Sequence, residues 1–238
     1  MQILFTLYFW LIAFPIIVVL TVIATLFTLL LIPFFPNTHI SNAPAKLWAK
    51  AICKLSFIRL ETNGFSHLSK DQSYIFVANH QSVYDIFVIY GYIPFVFKWI
   101  MKTELRKVPF VGVACEKSGH IFIDRKNPIK AKQSLEKARE NLQGGHSVVI
   151  FPEGTRTRTG KVLKFKRGAF VLATQLNLPI VPITISGAYE RMSANSLKIT
   201  PGIIRMTVDK PIDVIQYQDK PPKLLIDDVW NVINENLE

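Results

Sequence analysis

Two short polar stretches carry residue types that could do chemistry. The first, Asn79-His80-Gln81-Ser82-Val83-Tyr84-Asp85, follows an apolar run. A histidine beside a carboxylate has the parts of a general base. The carboxylate accepts from one imidazole nitrogen and fixes the tautomer, and the other nitrogen is left free to take a proton. On one continuous helix, residues five apart lie about 140° apart and do not meet. The spacing of His80 and Asp85 therefore calls for a turn. Ser82 and Asp85 match a Ser-x-x-Asp helix start, which places His80 just before the helix and curled over its first turn. The plainer alternative is that Asp85 only caps the helix and His80 is a surface loop residue.

The second stretch, Phe151-Pro152-Glu153-Gly154-Thr155-Arg156-Thr157-Arg158-Thr159-Gly160-Lys161, is rich in backbone amides, hydroxyls and guanidinium forks, all suited to phosphate. It is not a nucleotide-binding P-loop. Gly154 and Gly160 are one residue too far apart, and Val162 stands where a magnesium-binding Ser or Thr belongs. The chain also lacks the Gly-x-Ser-x-Gly element of serine hydrolases. A third polar end, Asp124-Arg125-Lys126, follows another apolar run, and Lys161, Lys164, Lys166 and Arg167 read as a solvated basic face.

These stretches need a scaffold. Apolar runs at 57–60, 74–78, 96–101, 120–123, 147–151, 180–185 and 203–208 read as strands, several of them covered on both faces. Residues 82–91, 104–117, 128–143, 167–177 and 222–237 read as helices. Asn127-Pro128 opens the third and Gly144-Gly145 closes it. The alternation predicts an α/β fold, a mainly parallel or mixed sheet flanked by helices, with active groups in loops at the C-terminal ends of strands.

In front of this scaffold lies a segment of different character. Half of the 238 residues are hydrophobic, yet the net charge is +11, and residues 1–45 contain no Asp, Glu, Lys or Arg. Such a chain is too apolar for disorder. Residues 3–35 exceed the roughly 20 apolar residues that cross a hydrocarbon core. They lack the basic n-region of a signal peptide, for which Ala43-Pro44-Ala45 would be the cleavage site. Because Lys46, Lys50, Lys54 and Arg59 follow the segment, the positive-inside rule places everything downstream in the cytoplasm. Pro15 leaves a tilted span, a kinked span and a re-entrant pair all open. Residues 44–56 put Leu47, Trp48, Ala51, Ile52 and Leu55 on one helical face and three lysines on another. That pattern fits a helix in the membrane interface or one packed on the domain. The organisation expected is an anchor over 1–56 and a catalytic domain over 57–238. Cys53 and Cys115 form neither a disulfide framework nor a zinc site, and no metal is implied.

Taken together, the motifs resemble the glycerolipid acyltransferase family, and within it the 1-acylglycerol-3-phosphate acyltransferases. Asn79 to Asp85 looks like the family's first motif, Gly119-His120-Ile121-Phe122-Ile123-Asp124-Arg125 like the second, Phe151 to Arg156 like the third, and Ile180-Val181-Pro182-Ile183 like the fourth. Lys102-Thr103-Glu104-Leu105 occupies the place of a Lys-x-Glu-Leu element, and Thr155 stands where Ser is frequent. The resemblance implies acyl transfer from an acyl-CoA or acyl-ACP thioester to the sn-2 hydroxyl of lysophosphatidic acid at a membrane. His80 and Asp85 would be the catalytic pair, and Arg156, Arg125 and Lys102 would hold the phosphate. Glu153, Gly154 and Thr155 would shape that turn, and Phe122, Val181 and Pro182 would line the acyl chain or buttress the site. No cofactor beyond the thioester co-substrate is implied, and no nucleic acid. Other lysophospholipid or lyso-aminolipid acceptors, and a non-enzymatic module that binds anionic lipid, are the alternatives. In a bacterium the membrane would be the inner one.

Overall fold

The structure, a computed structural model, describes residues 2–124, 129–130, 133–134, 136 and 146–237. Within them one mixed sheet runs in the order β1-β7-β6-β2-β5-β3-β4. Its strands are β1 (Ile58–Asn63), β2 (Ile75–Ala78), β3 (Phe97–Lys102), β4 (Ile121–Ile123), β5 (Ser147–Ile150), β6 (Ile180–Ser186) and β7 (Gly202–Val208). Neighbours are parallel except β6 and β7, which run antiparallel. All seven expected strands are present, and the α/β class holds.

Central strands β2 and β5 are buried along their whole length. Their side chains alternate between two cores, as the period of two requires. Phe76, Ala78 and Val149 point to one face, where Phe9, Ala13, Ile52, Cys53, Val88 and Ile89 pack. Ile75, Val77, Val148 and Ile150 point to the other, against Phe170, Leu172, Leu225 and Val229. The first face is covered by α1 (Gln2–Leu31), α2 (His39–Leu55) and α3 (Tyr84–Tyr92). The second is covered by α5 (Gly168–Leu176) and α7 (Pro222–Glu235), while the short helices α4 (Val111–Lys117) and α6 (Ala188–Arg191) lie at strand ends.

The helices differ from expectation where proline is involved. Pro15 does not break α1; a π-helical stretch, Phe9–Ala13, directly precedes it, closed by the Phe14 N–H on the Phe9 carbonyl. The helix is thus continuous for 30 residues, long and apolar enough to cross a membrane. The expected single helix 104–117 is two pieces, a 3₁₀ turn over Thr103–Lys107 and then α4. Pro109 forces Val108 into extended backbone (ψ 120°), and Phe110 turns the chain with φ 62°, closed by a hydrogen bond from the Val111 N–H to the Pro109 carbonyl (2.7 Å). Most of the expected helix 128–143 lies outside the described residues.

Helix α2 starts five residues before the expected 44, at a capping box made by Thr38 and Ser41. It is packed between α1 and α3. The Trp48 indole donates to Thr21 Oγ1 of α1 (2.9 Å), and the Lys46 ammonium donates to the Ile93 carbonyl past the end of α3 (3.0 Å). Its buried residues are Ser41, Ala49, Ile52 and Cys53, whereas Leu47, placed on the apolar face from sequence, is exposed.

Beyond the last β2–β6 pair, Ala78 with Ile183, the ladder is continued by a side chain. Asn79 donates through Nδ2 to the Ile185 carbonyl (2.8 Å) and accepts the Ile185 N–H at Oδ1 (2.7 Å), fully buried. The amide imitates one more strand residue while the main chain turns away. Replacing it would orphan both backbone groups of Ile185. Asn79→Ala should therefore lose about 2–4 kcal/mol of stability, read as a lowered midpoint in detergent unfolding measurements, and a change below about 0.5 kcal/mol would contradict this account.

Candidate active site

The turn after β2 is organised by one carboxylate. Asp85, in the first turn of α3, is fully buried, and its Oδ2 accepts three hydrogen bonds. These come from His80 Nδ1 (2.8 Å), the Gln81 N–H (2.6 Å) and the Ser82 N–H (2.7 Å). The carboxylate therefore caps the helix and orients the imidazole at once. The Ser-x-x-Asp helix start expected from spacing is present: the Ser82 N–H reaches Asp85 and the Ser82 hydroxyl accepts the Tyr84 N–H (3.3 Å). The same hydroxyl donates to the Met192 carbonyl (2.6 Å) beyond α6. With Nδ1 donating to Asp85, the His80 Nε2 carries the free lone pair. The His80 side chain keeps 14% exposure, enough to meet a substrate.

A second carboxylate holds the same turn from the other side. Glu153, at the end of β5, is 3% exposed and places both oxygens on main-chain donors, Oε1 on the His80 N–H (2.6 Å) and Oε2 on the Leu163 N–H (3.0 Å). Burial pushes its pKa up to about 7. The two N–H bonds oppose that rise, and the nearby Asp85 charge adds to it. Phe151, which points to the same face as Ala78, supplies the floor. Its ring stacks on the His80 imidazole at 4.0 Å between centroids and 9° between planes. Carboxylate, aromatic floor and tautomer together leave the imidazole little rotational freedom.

The turn 153–166 lies beside this imidazole. Gly154 adopts φ 74°, and a Cβ there would stand 2.6 Å from the Lys166 ammonium, so glycine lets that cation close over the main chain. Thr155 is exposed and Arg156 half-buried, and the Thr157 N–H donates to the His80 carbonyl (2.9 Å). His80, Asp85, Glu153, Gly154 and Arg156 thus belong to one cluster at the adjacent C-terminal ends of β2 and β5. Val181 and Pro182 lie deeper, buried in β6 opposite Phe76 and Val77. Phe122 is in edge strand β4 with the Arg106 guanidinium 4.6 Å from its ring, and Lys102 is exposed at the end of β3. Arg125 lies outside the described residues.

Several members of the cluster are not evident from sequence. Lys166 reads there as part of a solvated basic face, and Thr157, 1% exposed, reads as one polar loop residue among several. Glycine at 154 was the available signal for Lys166, since a residue with no side chain invites a close neighbour.

Residues 59–186, from β1 to the end of β6, match the family model described as Acyltransferase. A chloroplastic 1-acyl-sn-glycerol-3-phosphate acyltransferase of Arabidopsis thaliana is 35% identical over 82% of this chain and 54% of its own length. The chain spans about half the length of several such curated relatives. The 1-acyl-sn-glycerol-3-phosphate acyltransferase of Limnanthes douglasii is 30% identical over 94% of this chain and 78% of its own. Among solved structures, the 1-acyl-sn-glycerophosphate acyltransferase PlsC of Thermotoga maritima superposes with a TM-score of 0.82 at 28% identity, covering 99% of this chain and 94% of that one. With the family model matching more than half of the chain and the His–Asp turn and basic loop lying within the matched residues, the chain belongs to the acyltransferase family.

Proposed function

We propose that this protein transfers a fatty acyl group from a thioester, on coenzyme A or acyl carrier protein, to the sn-2 hydroxyl of 1-acylglycerol-3-phosphate, forming phosphatidic acid. The observation that carries the reading is the 2.8 Å bond between His80 Nδ1 and Asp85 Oδ2, which leaves Nε2 as a base. Nε2 takes the hydroxyl proton as the oxygen attacks the thioester carbonyl. The tetrahedral intermediate collapses with loss of the thiolate, and the imidazolium returns its proton to that sulfur. No covalent bond to the protein forms. Asp85 stabilises the imidazolium, while the stacked Phe151 keeps its ring in line.

The acceptor phosphate, close to two negative charges, would be met by Arg156 first, with Lys166 and Gly154 beside it. Arg125 and Lys102 are further candidates. Glu153 has both oxygens on main-chain amides and acts in this reading as a clip that shapes the turn. Helices α1 and α2 would seat the protein in the membrane with the catalytic part on the cytoplasmic side. The exposed side chains of Leu4, Leu11, Val19, Leu26 and Leu30 along α1 support a lipid environment.

Three outcomes test this reading. His80→Ala should lower turnover of lysophosphatidate by about 10²–10⁴ with the fold retained, and a variant that kept most of its rate would remove the assigned base. Arg156→Ala should raise the apparent KM for lysophosphatidate by about 10-fold or more and leave the thioester KM nearly unchanged. An acceptor without the phosphomonoester should show no such dependence on Arg156.

The third concerns Glu153. Its pKa rises from 4.5 to about 7 on folding, so between those values the folded protein holds a proton that the unfolded chain has released. The stability this group contributes is complete below about pH 4.5 and is lost as the pH rises through about 7. Thermal melts of native and Glu153→Gln protein should therefore move in the variant's favour between pH 5 and pH 8. Movement the other way would mean that the two amide bonds outweigh burial.

A further inference from the structure

The loop that brings Arg156 to the site crowds Arg158, Lys161, Lys164 and Lys166 into the same turn. Like charges repel, and each cation is better hydrated when the loop splays away from the protein. Something must hold it in register with the base. The loop is tied at its ends by Glu153 and by the bond from the Lys166 N–H to the Pro152 carbonyl (3.0 Å), and at one point within it by the bond from the Thr157 N–H to the His80 carbonyl (2.9 Å), but the stretch around Arg158 and Gly160 extends beyond these ties.

Two side chains from outside the loop grip that stretch by its carbonyls. Gln81, in the turn next to His80, donates through Nε2 to the Gly160 carbonyl (2.7 Å). Tyr189, in α6, donates its hydroxyl to the Arg158 carbonyl (2.7 Å). The Tyr189 ring also lies flush on Gly160, where an added Cβ would come within 3.4 Å of it, and Gly160 has φ 82°. Gln81 is 4% exposed and its Oε1, also buried, has no hydrogen-bond partner among the described residues, so its use here is as a donor.

We propose that Gln81 and Tyr189 are positioning residues that hold the Arg156–Lys161 turn against the His80 turn and so set the distance between the cation that receives the acceptor's phosphate and the base that receives its proton. Neither touches the reacting atoms. The proposal rests on the reading that the acceptor carries a phosphate, and it adds that this recognition depends on a rigid span between two turns.

The test uses Tyr189→Phe, which removes the hydroxyl and keeps the ring on Gly160, and Gln81→Met, which keeps the shape and removes the donor. Each is assayed with lysophosphatidate and an acyl-CoA in mixed micelles, and each is digested with trypsin while mass spectrometry follows cleavage after Arg158, Lys161 and Lys164. Loss of one hydrogen bond should raise the apparent KM for lysophosphatidate about 3–10-fold, with kcat and the thioester KM changed by less than about twofold. Cleavage in the loop should accelerate by a similar factor, because proteolysis follows the population of the open form. KM and cleavage both unchanged would overturn the proposal, and so would a fall in kcat with KM unchanged, which is the mark of a general loss of structure. The digestion needs no turnover. If native protein fails to acylate lysophosphatidate, the functional reading falls, while cleavage still decides whether the clamp exists. Should Gln81→Met fail to fold, Tyr189→Phe, altered only at a hydroxyl near the surface, carries the test.

Discussion

A strand that ends buried has to turn without leaving its peptide groups unpaired, and the exit from β2 meets that demand with side chains. Asn79 completes the ladder toward β6, Asp85 collects the next two N–H groups, and Glu153 takes the N–H of His80 itself. The imidazole is held because the backbone around it has no alternative. Three buried side chains that satisfy a main-chain turn also fix the one ring in it that stays reachable. Removing any of them would cost backbone hydrogen bonds before it cost catalysis. The positioning of the imidazole and the stability of the sheet's centre are therefore one property.

This coupling explains what was legible in the amino-acid sequence. The strands were, because runs such as Ile75–Ala78 and Ser147–Ile150 are nearly all apolar, as strands with two covered faces must be. The meeting of His80 and Asp85 was legible from spacing, since a five-residue interval excludes one helix. What spacing does not encode is which polar group each carboxylate serves. Glu153 stands in a stretch rich in phosphate-binding types, yet both its oxygens face inward to the amides of His80 and Leu163, which lie far apart in sequence. Tyr189 and Met192 contact the site from beyond the fourth motif, and nothing local marks them. The break at Pro109 was readable in principle, because the residue before a proline resists the helical region. Helical periodicity across 104–117 masked it.

The opposed halves of the composition also find their places. The charge-free helix α1 and the basic, amphipathic α2 pack on the same face of the sheet as α3, whose first turn carries Asp85. In the proposed reaction, a water-soluble thioester and a lipid acceptor would then reach one imidazole from two media. The apolar helices lie beside the site and share its core through Phe9, Ala13 and Ile52, so they are not a detachable tether.

The antiparallel pairing of β6 with β7 has a consequence for how the site is built. Had β7 run parallel to β6, the chain leaving β6 would have crossed to the far end of the sheet before re-entering. Reversal of direction lets residues 187–201 begin and finish at the end of the sheet where β2 and β5 terminate. That connection delivers Tyr189 and the Met192 carbonyl to the two turns and is anchored in the core by Ala188 and Ile199. Between those anchors it is a rim whose length can change without rewiring any strand, placed where a change would be felt by whatever is bound.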